Sequence, residues 1–335
     1  MKEIHIKIID KMKSLLFLYF CVAMAFSAMA SSVSDTYVIP NPQQMVCGDG
    51  HFVLRAQASF SCNLAGTDKD DFVSYVSNSP LSLTYKKKGK ADITFKLVSP
   101  KNAKMKEEAY RLKVTKKGIQ AEATSASGLF YAFQSIVQLA RESGNATYQL
   151  PEVTIEDAPR FSYRGMHLDV SRHFYTKEFV KKQIDALARY KLNRFHWHLT
   201  DGAGWRIEIK KYPRLTEVGA WRVDRTDVPF HSRRNPKRGE PTPIGGFYTQ
   251  EDIREIVAYA ADRQIEVIPE IDVPAHSNAA LAAYPQLACP VVKDFIGVLP
   301  GLGGRNSEII YCAGNDSVFT FLQDIFDEIL TLFPS

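Results

Sequence analysis

The second half of the chain alternates between short runs of β-forming residues and amphipathic helical segments. Strands are predicted over residues 163–170, 193–200 and 265–271. Helices are predicted to start after Thr176, after Thr249 and at Ser317, because apolar side chains recur there every three or four positions. Strands separated by helices pair in parallel through crossover connections, so this pattern predicts an α/β fold built on a parallel sheet.

Three strand–helix units are too few for a closed (β/α)8 barrel, which needs eight units and takes about 250 residues. An open three-stranded parallel sheet would leave a strand edge and an apolar face exposed to water. We therefore expect residues 159–335 to be the N-terminal part of a (β/α)8 TIM barrel, with about three βα units, truncated before its fourth strand.

A different pattern precedes the barrel segment. Strand-like runs are found at 93–98, 110–114 and 119–123, and an amphipathic helix follows over 129–140, with Ser127 as its predicted N-cap. Strands followed by a single helix indicate a small α+β domain. We assign residues 31–158 to this domain, because Pro151 and Pro159 bracket the junction.

The first thirty residues have the pattern of a secretory signal peptide. Lys11 and Lys13 precede an apolar run over 15–26, and Ala28 and Ala30 form an A-x-A end. The run is too short to cross about 30 Å of hydrocarbon comfortably, although an uncleaved membrane anchor is the alternative. We expect an exported protein, periplasmic or extracellular, with no membrane association beyond this leader.

Charge and cysteine content narrow the class of protein further. Lys and Arg number 42 against 37 Asp and Glu, and this dispersed net charge of +5 gives no basis for a nucleic-acid partner. The oligomeric state stays open.

Four cysteines remain after the leader, and they permit three disulfide pairings or buried free thiols. Pairing between neighbours in sequence would give Cys47–Cys62 and Cys289–Cys312, and no C-x-x-C spacing indicates a zinc ribbon.

The ends of the three predicted barrel strands are rich in acids and histidines. Such side chains are Asp169, His173, His196, His198, Asp201, Glu270, Asp272 and His276. The active site of a barrel of this kind lies at the carboxyl ends of its strands, so these side chains should share one rim. Carboxylates bind hydroxyls and transfer protons, and the indole of the nearby Trp205 offers a stacking surface. This combination points to a sugar.

Four stretches closely resemble glycoside hydrolase family 20. They are RGMHLDVSRHF at 164–174, KLNRFHWHLTD at 191–201, GWRIE at 204–208 and PEIDVPAH at 269–276. The resemblance implies an exo-acting β-N-acetylhexosaminidase that removes terminal β-linked N-acetylglucosamine or N-acetylgalactosamine from glycans. It also implies retaining catalysis in which the acetamido group of the substrate is the nucleophile, without a cofactor.

The same resemblance implies a catalytic Asp-Glu pair at the end of the fourth strand, where the Glu is the general acid. Beyond Phe161 the only Asp-Glu dipeptide in this sequence is Asp327-Glu328. It falls inside the third predicted helix, where Asp327 points away from the apolar stripe, so we interpret the pair as solvated helix surface. The general acid is therefore expected to be absent from these 335 residues.

The resemblance assigns roles to a few residues of this sequence. Arg164 would bind the outer hydroxyls of the sugar, although it lies at the start of its strand and not at the end. Asp201 and His276 would support the acid Glu; their alternative roles are a strand-end cap and a core histidine. Trp205 belongs either near the pocket or in the core. The sequence departs from the family at Gly202, where a second Asp is common, and at Ala275, which replaces a Gly.

Two other functions stay open at this stage. His196 and His198 lie on one face of a strand, as in metal-dependent TIM-barrel hydrolases. A truncated chain that binds sugar, or that is inactive, is the second alternative. A basic loop over 222–246 is either a solvated loop or part of a leaving-group subsite for acidic glycans.

Overall fold

The computed structural model describes residues 36–99, 105–144, 146–301 and 309–334. The signal peptide predicted for residues 1–30 lies outside these ranges. Among the helices within them, none has the length and apolar character that a membrane crossing needs. The chain folds into two halves, a mixed sheet with helices followed by a parallel three-stranded sheet with helices.

An eight-stranded sheet forms the first half, in the order β1-β8-β5-β6-β4-β2-β3 with β7 beside β8. Its strands are β1 (Gln44–Leu54), β2 (Ser59–Cys62), β3 (Thr84–Tyr85), β4 (Ile93–Leu97), β5 (Tyr110–Thr115), β6 (Gly118–Ala123), β7 (Arg141–Glu142) and β8 (Tyr148–Asp157). Helices α1 (Gly66–Ser77) and α2 (Ala126–Leu139) accompany it. Strands and helices in this arrangement confirm the predicted small α+β fold.

Helix α2 is buried on nearly all sides, because it packs on the sheet and also contacts the barrel half. Its N-cap is Ser125, whose hydroxyl accepts the amide of Gly128 at 3.1 Å, so the prediction that Ser127 caps this helix was wrong. The Ser127 hydroxyl instead donates to Oε1 of Gln264 at 2.7 Å, across the boundary between the two halves.

Three parallel strands form the sheet of the second half, in the order β15-β10-β9. They are β9 (Gly165–Asp169), β10 (Arg194–His198) and β15 (Glu266–Glu270), and they are accompanied by the helices α3 (Lys177–Arg189), α5 (Gln250–Ala261) and α7 (Asp316–Leu332). The predicted α/β fold with three βα units is confirmed. Short elements complete this half: β11 (Thr200–Asp201), β12 (Gly204–Trp205), α4 (Arg214–Glu217), β13 (Trp221–Arg222), β14 (Ile244–Gly245), α6 (Asn278–Ala283) and 3-10 turns at Phe230–Ser232 and Pro285–Leu287.

The helix boundaries follow local capping signals. Thr176 caps α3, and Thr249 with Asp252 forms the predicted capping box of α5. Helix α7 begins at Asp316, because Oδ1 of Asn315 accepts the amide of Ser317 at 3.1 Å. The cap therefore lies two residues before Ser317, where the helix was predicted to start.

The two faces of the parallel sheet differ in character, because side chains alternate along each strand. Phe195 and Trp197 are fully buried, and the Trp197 ring packs 4.7 Å from that of Tyr248. Arg194 and His196 occupy the opposite face, which corresponds to the interior of a barrel and is partly exposed in this chain. The parallel sheet therefore directs its polar residues toward the barrel axis.

All four cysteines are free thiols in the structure, and the sheet order excludes one of the bonds that were considered. Cys47 lies in β1 and Cys62 in β2, and five inter-strand spacings separate these strands, or about 24 Å. A disulfide needs Cα atoms within about 7 Å, so a bond between these two cysteines is incompatible with this fold. In contrast, the Cys289 thiol lies beside that of Cys312, and this neighbour raises the pKa of Cys289.

Candidate active site

The carboxyl ends of the three barrel strands bring three ionisable residues side by side. In the strand register, His198 at the end of β10 stands opposite Asp169 of β9 and opposite Glu270 of β15. Parallel strands end at the same edge of a sheet, so the rim predicted from the strand order is formed by these residues.

His198 connects the acids of this rim. Its Nδ1 lies 2.9 Å from Oε1 of Glu270 in an ion pair that is not a linear hydrogen bond, and its Nε2 lies 3.3 Å from Oδ2 of Asp201. Burial by itself would lower the pKa of His198, but the two carboxylates outweigh it and raise the pKa to about 8. The two carboxylates therefore favour the protonated form of the imidazole.

Asp201 is the most deeply placed acid of the rim, with 5% of its surface exposed. Its carboxylate pairs with the guanidinium of Arg172 and with His198, and its Oδ1 lies 3.4 Å from Nδ1 of His276. The backbone amide of Gly202 donates to the same Oδ1 at 2.6 Å. The structure thus brings together the two residues expected to support a catalytic acid, Asp201 and His276.

Arg172 is a rim residue that the sequence interpretation did not select. Its Nη1 lies 3.0 Å from Oδ2 of Asp169, and its other terminal nitrogen contacts Asp201. Burial would raise the pKa of Asp169, but the amide and guanidinium groups of Arg172 override burial and lower it. About a third of the Arg172 side chain is exposed, so donors of this guanidinium can reach a ligand. The position of Arg172 shortly after the end of β9 was the feature of the sequence that could have identified it as a rim residue.

Glu270 lies between the imidazoles that face the barrel axis. Its Oε1 contacts His198, and its Oε2 lies 2.5 Å from Nε2 of His196 and 3.6 Å from Nε2 of His167. Burial would raise the pKa of Glu270, but His198 and His196 lower it. This pairing gives both histidines of the H-x-H motif a carboxylate partner.

Potential metal ligands are also grouped on the rim. Among the residues that the structure describes, three groups have their ligand atoms within 4.8 Å of one another: His167, His196 and Glu270; His198, Glu270 and Asp272; and Asp201, Asp272 and His276. Burial raises the pKa of Asp272, whose backbone amide donates to the Thr200 hydroxyl at 3.0 Å. The donor set therefore has the composition of a cation site, while ion pairs within it compensate part of its charge.

Arg164 is placed at the opposite end of the strands from the rim. Its guanidinium donates to both carboxylate oxygens of Glu108, at 2.9 and 3.0 Å, and to the hydroxyl of Tyr131 at 3.0 Å. A strand rises about 3.3 Å per residue, so about 16 Å separates Arg164 from Asp169 at the rim. The expectation that Arg164 binds sugar hydroxyls is corrected: this side chain joins the two halves of the chain.

Trp205 is a core residue in this structure. Only 2% of its surface is exposed, and its indole N–H donates to the carbonyl of Ile207 at 2.7 Å. With its face covered and its donor used, the ring has no surface on which a sugar could stack. Of the two roles considered for Trp205, core packing is therefore correct.

The Asp327-Glu328 pair lies on α7, away from the rim. Asp327 is exposed, as predicted. Glu328 is not simply solvated, because its carboxylate accepts the amides of Lys210 at 2.8 Å and Lys211 at 2.9 Å. It also accepts Nε2 of Gln250 at 2.7 Å, so it ties α7 to the segment after β12 and to α5. Glu328 therefore has a structural role, whereas Asp327 lies on the exposed surface of the helix.

Part of the charge in the basic loop over 222–246 is used within the protein. Arg225 pairs with Glu240 at 2.9 Å, and Arg233 donates to the carbonyls of Val228 and Pro300. Arg222 is buried and donates to the carbonyl of Arg172 at 2.7 Å. Of these contacts, the bond from Arg222 joins the loop to a rim residue, Arg172.

Comparison with known families and proteins gives a consistent result. The description "Glycosyl hydrolase family 20, catalytic domain" matches residues 161–335, and "Glycosyl hydrolase family 20, domain 2" matches residues 35–158. A beta-hexosaminidase of Porphyromonas gingivalis is 49% identical over 236 residues, which are 69% of this chain and 28% of that protein. One from Vibrio furnissii is 40% identical, over 91% of this chain and 48% of its own length.

Solved structures agree with this result. A beta-N-acetylhexosaminidase from Bacteroides fragilis superposes with a TM-score of 0.72 at 34% identity, covering 89% of this chain and 55% of that one. A family 20 exo-beta-N-acetylglucosaminidase from Vibrio harveyi, solved with N-acetylglucosamine, has a TM-score of 0.72 at 34% identity, over 91% of this chain and 47% of that one. The chain spans less than half the length of the curated relatives described above.

Proposed function

Since the chain belongs to glycosyl hydrolase family 20, a family of glycosidases, we propose that the protein of which it forms part is an exo-acting β-N-acetylhexosaminidase. Its substrates are glycans that end in β-linked N-acetylglucosamine or N-acetylgalactosamine. The N-acetylglucosamine bound by the Vibrio harveyi relative supports this choice of sugar. The signal-like leader supports export to the periplasm or the outside of the cell.

The observation that carries the proposal is the set of basic side chains around Asp201. A buried carboxylate that contacts Arg172, His198 and His276 is held in a fixed position. Arg172 still exposes part of its guanidinium, whose donors fit sugar hydroxyls. The side chain of His276 contacts Asp201 and is the more exposed of the two. It can therefore link the buried carboxylate to a group that is bound above the rim.

In the proposed reaction the acetamido oxygen of the substrate attacks the anomeric carbon, and a carboxylic acid protonates the leaving oxygen. Asp201 and His276 would hold and tune that acid, and Arg172 would orient the sugar. The acid Glu and its Asp partner would belong to a part of the full-length protein that this chain does not span. The chain of 335 residues alone is then the inactive or sugar-binding fragment considered above.

The test uses the full-length protein, the 1–335 chain, and two chromogenic substrates. We expect the full-length protein to cleave an aryl N-acetyl-β-glucosaminide and to leave the matching β-glucoside, which lacks the acetamido group, uncleaved. The 1–335 chain should cleave neither. Equal cleavage of both substrates would exclude acetamido participation, and an inactive full-length protein would refute the proposed activity.

A metal-dependent hydrolase is the second candidate, because His196 and Glu270 share one of the potential ligand groups with His167. A chelator separates the two functions. Full activity of the full-length protein after dialysis against a chelator supports the glycosidase mechanism. Loss of activity that zinc restores would favour the metal enzyme.

A further inference from the structure

Two buried arginines lie directly behind the rim. Arg206 is 1% exposed and Arg222 is 4% exposed. In the described part of the chain neither guanidinium has a carboxylate within ion-pair distance, and the partners of both are backbone carbonyls. Burial, and then the nearby charge of Arg222, lower the pKa of Arg206 to about 9. Burying two cations without a nearby carboxylate costs free energy. Hydrogen bonds to other polar groups must therefore compensate for the lost hydration.

All five N–H donors of Arg206 are used by five different carbonyls, a complete match of donors to acceptors. Nε donates to Val170 at 3.1 Å, and the terminal nitrogens donate to Ser171 at 2.7 Å, Ala220 at 2.5 Å, Gly246 at 3.0 Å and Ala203 at 3.3 Å. One side chain thus joins the loops that follow β9 and β11, the residue before β13 and the residue after β14.

The surrounding sequence makes room for this arrangement. A Cβ atom at Gly204 would overlap the Arg206 guanidinium, and one at Gly245 would overlap the carbonyl of Ala220, an Arg206 acceptor. Both glycines are required by the close approach of these groups. The site of the guanidinium is therefore built by several parts of the chain.

The loop fixed in this way carries Arg172. Arg206 binds the carbonyls of residues 170 and 171, and Arg222 binds the next one, that of Arg172, at 2.7 Å. On the other side of the loop, the Asp169 carboxylate accepts the amides of Ser171 at 2.9 Å and Arg172 at 3.0 Å. The backbone carbonyls of residues 170–172 and the amides of Ser171 and Arg172 thus all have hydrogen-bond partners within the protein.

We infer that Arg206 and Arg222 are positioning residues, which hold the loop after β9 in the one conformation that directs the Arg172 guanidinium between Asp169 and Asp201. The inference rests on the proposed function, in which Arg172 orients the sugar. Both arginines are buried, so they would act on the substrate only through Arg172. A lysine at either position keeps the charge, but its ammonium donates from a single point and cannot reach carbonyls on several loops.

The test is a set of lysine variants in the full-length protein, assayed with an aryl N-acetyl-β-glucosaminide. R206K and R222K should each lower kcat/KM at least tenfold while the protein stays folded by circular dichroism. R263K is the matched control, because Arg263 also donates to a backbone carbonyl, that of Tyr259 at 3.0 Å, but at the opposite end of the strands. It should keep wild-type kinetics.

A double-mutant cycle separates positioning from general support. In the R172A background, adding R222K should change kcat/KM by less than twofold, because the side chain that Arg222 positions is already gone. A full tenfold further loss in that background would overturn the inference, and so would unchanged kinetics in folded R206K and R222K.

Hydrogen exchange gives a readout that does not depend on activity. The amides of Ser171 and Arg172 should exchange at least tenfold faster in R222K than in the wild-type protein, whereas the amides of α3 keep their rates. If the wild-type protein is inactive, the proposed function is wrong. The exchange rates would still show whether Arg222 holds the loop after β9 in place. Unchanged exchange at these two amides would refute this positioning role.

Discussion

Arg164 and Glu108 form a two-pronged ion pair across the boundary between the two halves of the chain, with N–O distances of 2.9 and 3.0 Å. Both side chains are largely buried. Burial opposes charge on each of them, but the pairing outweighs it, lowering the pKa of Glu108 and raising that of Arg164. The pair lies at the amino end of β9, so it anchors the first barrel strand to the α+β half.

Replacement of Arg164 by Met should therefore destabilise the protein. Removing one partner leaves the Glu108 carboxylate buried without its main compensation, at a cost of about 3 kcal/mol. Urea unfolding measures the change. The control is Arg111→Met, which removes an exposed ion pair with Glu156 and should cost less than about 1 kcal/mol. Equal effects of the two variants would contradict an anchoring role for Arg164.

The buried carboxylate of the rim should be essential for turnover. D201N removes the negative charge shared by Arg172, His198 and His276, and we expect kcat of the full-length protein to fall by about 100-fold or more, the scale of general acid support. The assay is hydrolysis of an aryl N-acetyl-β-glucosaminide. D327N, on the exposed face of α7, is the matched control and should leave kcat unchanged. Near-normal turnover by D201N would remove Asp201 from the mechanism.

The raised pKa of His198 predicts a pH-dependent stability. The imidazole has a pKa of about 8 in the folded chain against 6.5 as the reference value, so folding favours the protonated form. This contribution is complete below about pH 6.5 and is lost as pH rises through 8, and its size is about 2 kcal/mol. Unfolding free energies at pH 6 and pH 9 measure it.

The variant H198N should lose this part of the pH dependence, because it cannot titrate. H51N is the control, since His51 is exposed in the other half of the chain, and it should retain the wild-type profile. An H198N protein with the full wild-type decrease between these two pH values would rule out His198 as its source.

Oxidation should link Cys289 to Cys312 and leave Cys47 and Cys62 unpaired with each other. The first two thiols are in contact, whereas the other two lie on strands five spacings apart. Treatment with glutathione disulfide transfers the two electrons of the thiols to that reagent. Peptide mapping without reductant should recover a crosslinked peptide that contains Cys289 and Cys312. Recovery of a Cys47–Cys62 peptide would contradict the sheet order.

The sequence by itself determined the alternation of strands and helices, the helix caps at Thr176 and Thr249, and the acids that end each barrel strand. These features follow from periodicity and from contacts over a few residues, which are encoded locally. The four family motifs are equally local. They indicated Asp201 and His276, which the structure brings together on one rim.

Only the tertiary structure decided which arginine belongs to the rim. Arg164 and Arg172 lie in the same motif, yet a carboxylate 56 residues earlier in the chain, Glu108, binds the first, and Asp201, beyond the next helix and strand, pairs with the second. The burial of Trp205 and the separation of Cys47 from Cys62 were decided in the same way. Such partners are distant in sequence. The role of a side chain therefore depends on which charged or apolar group the folded chain places beside it.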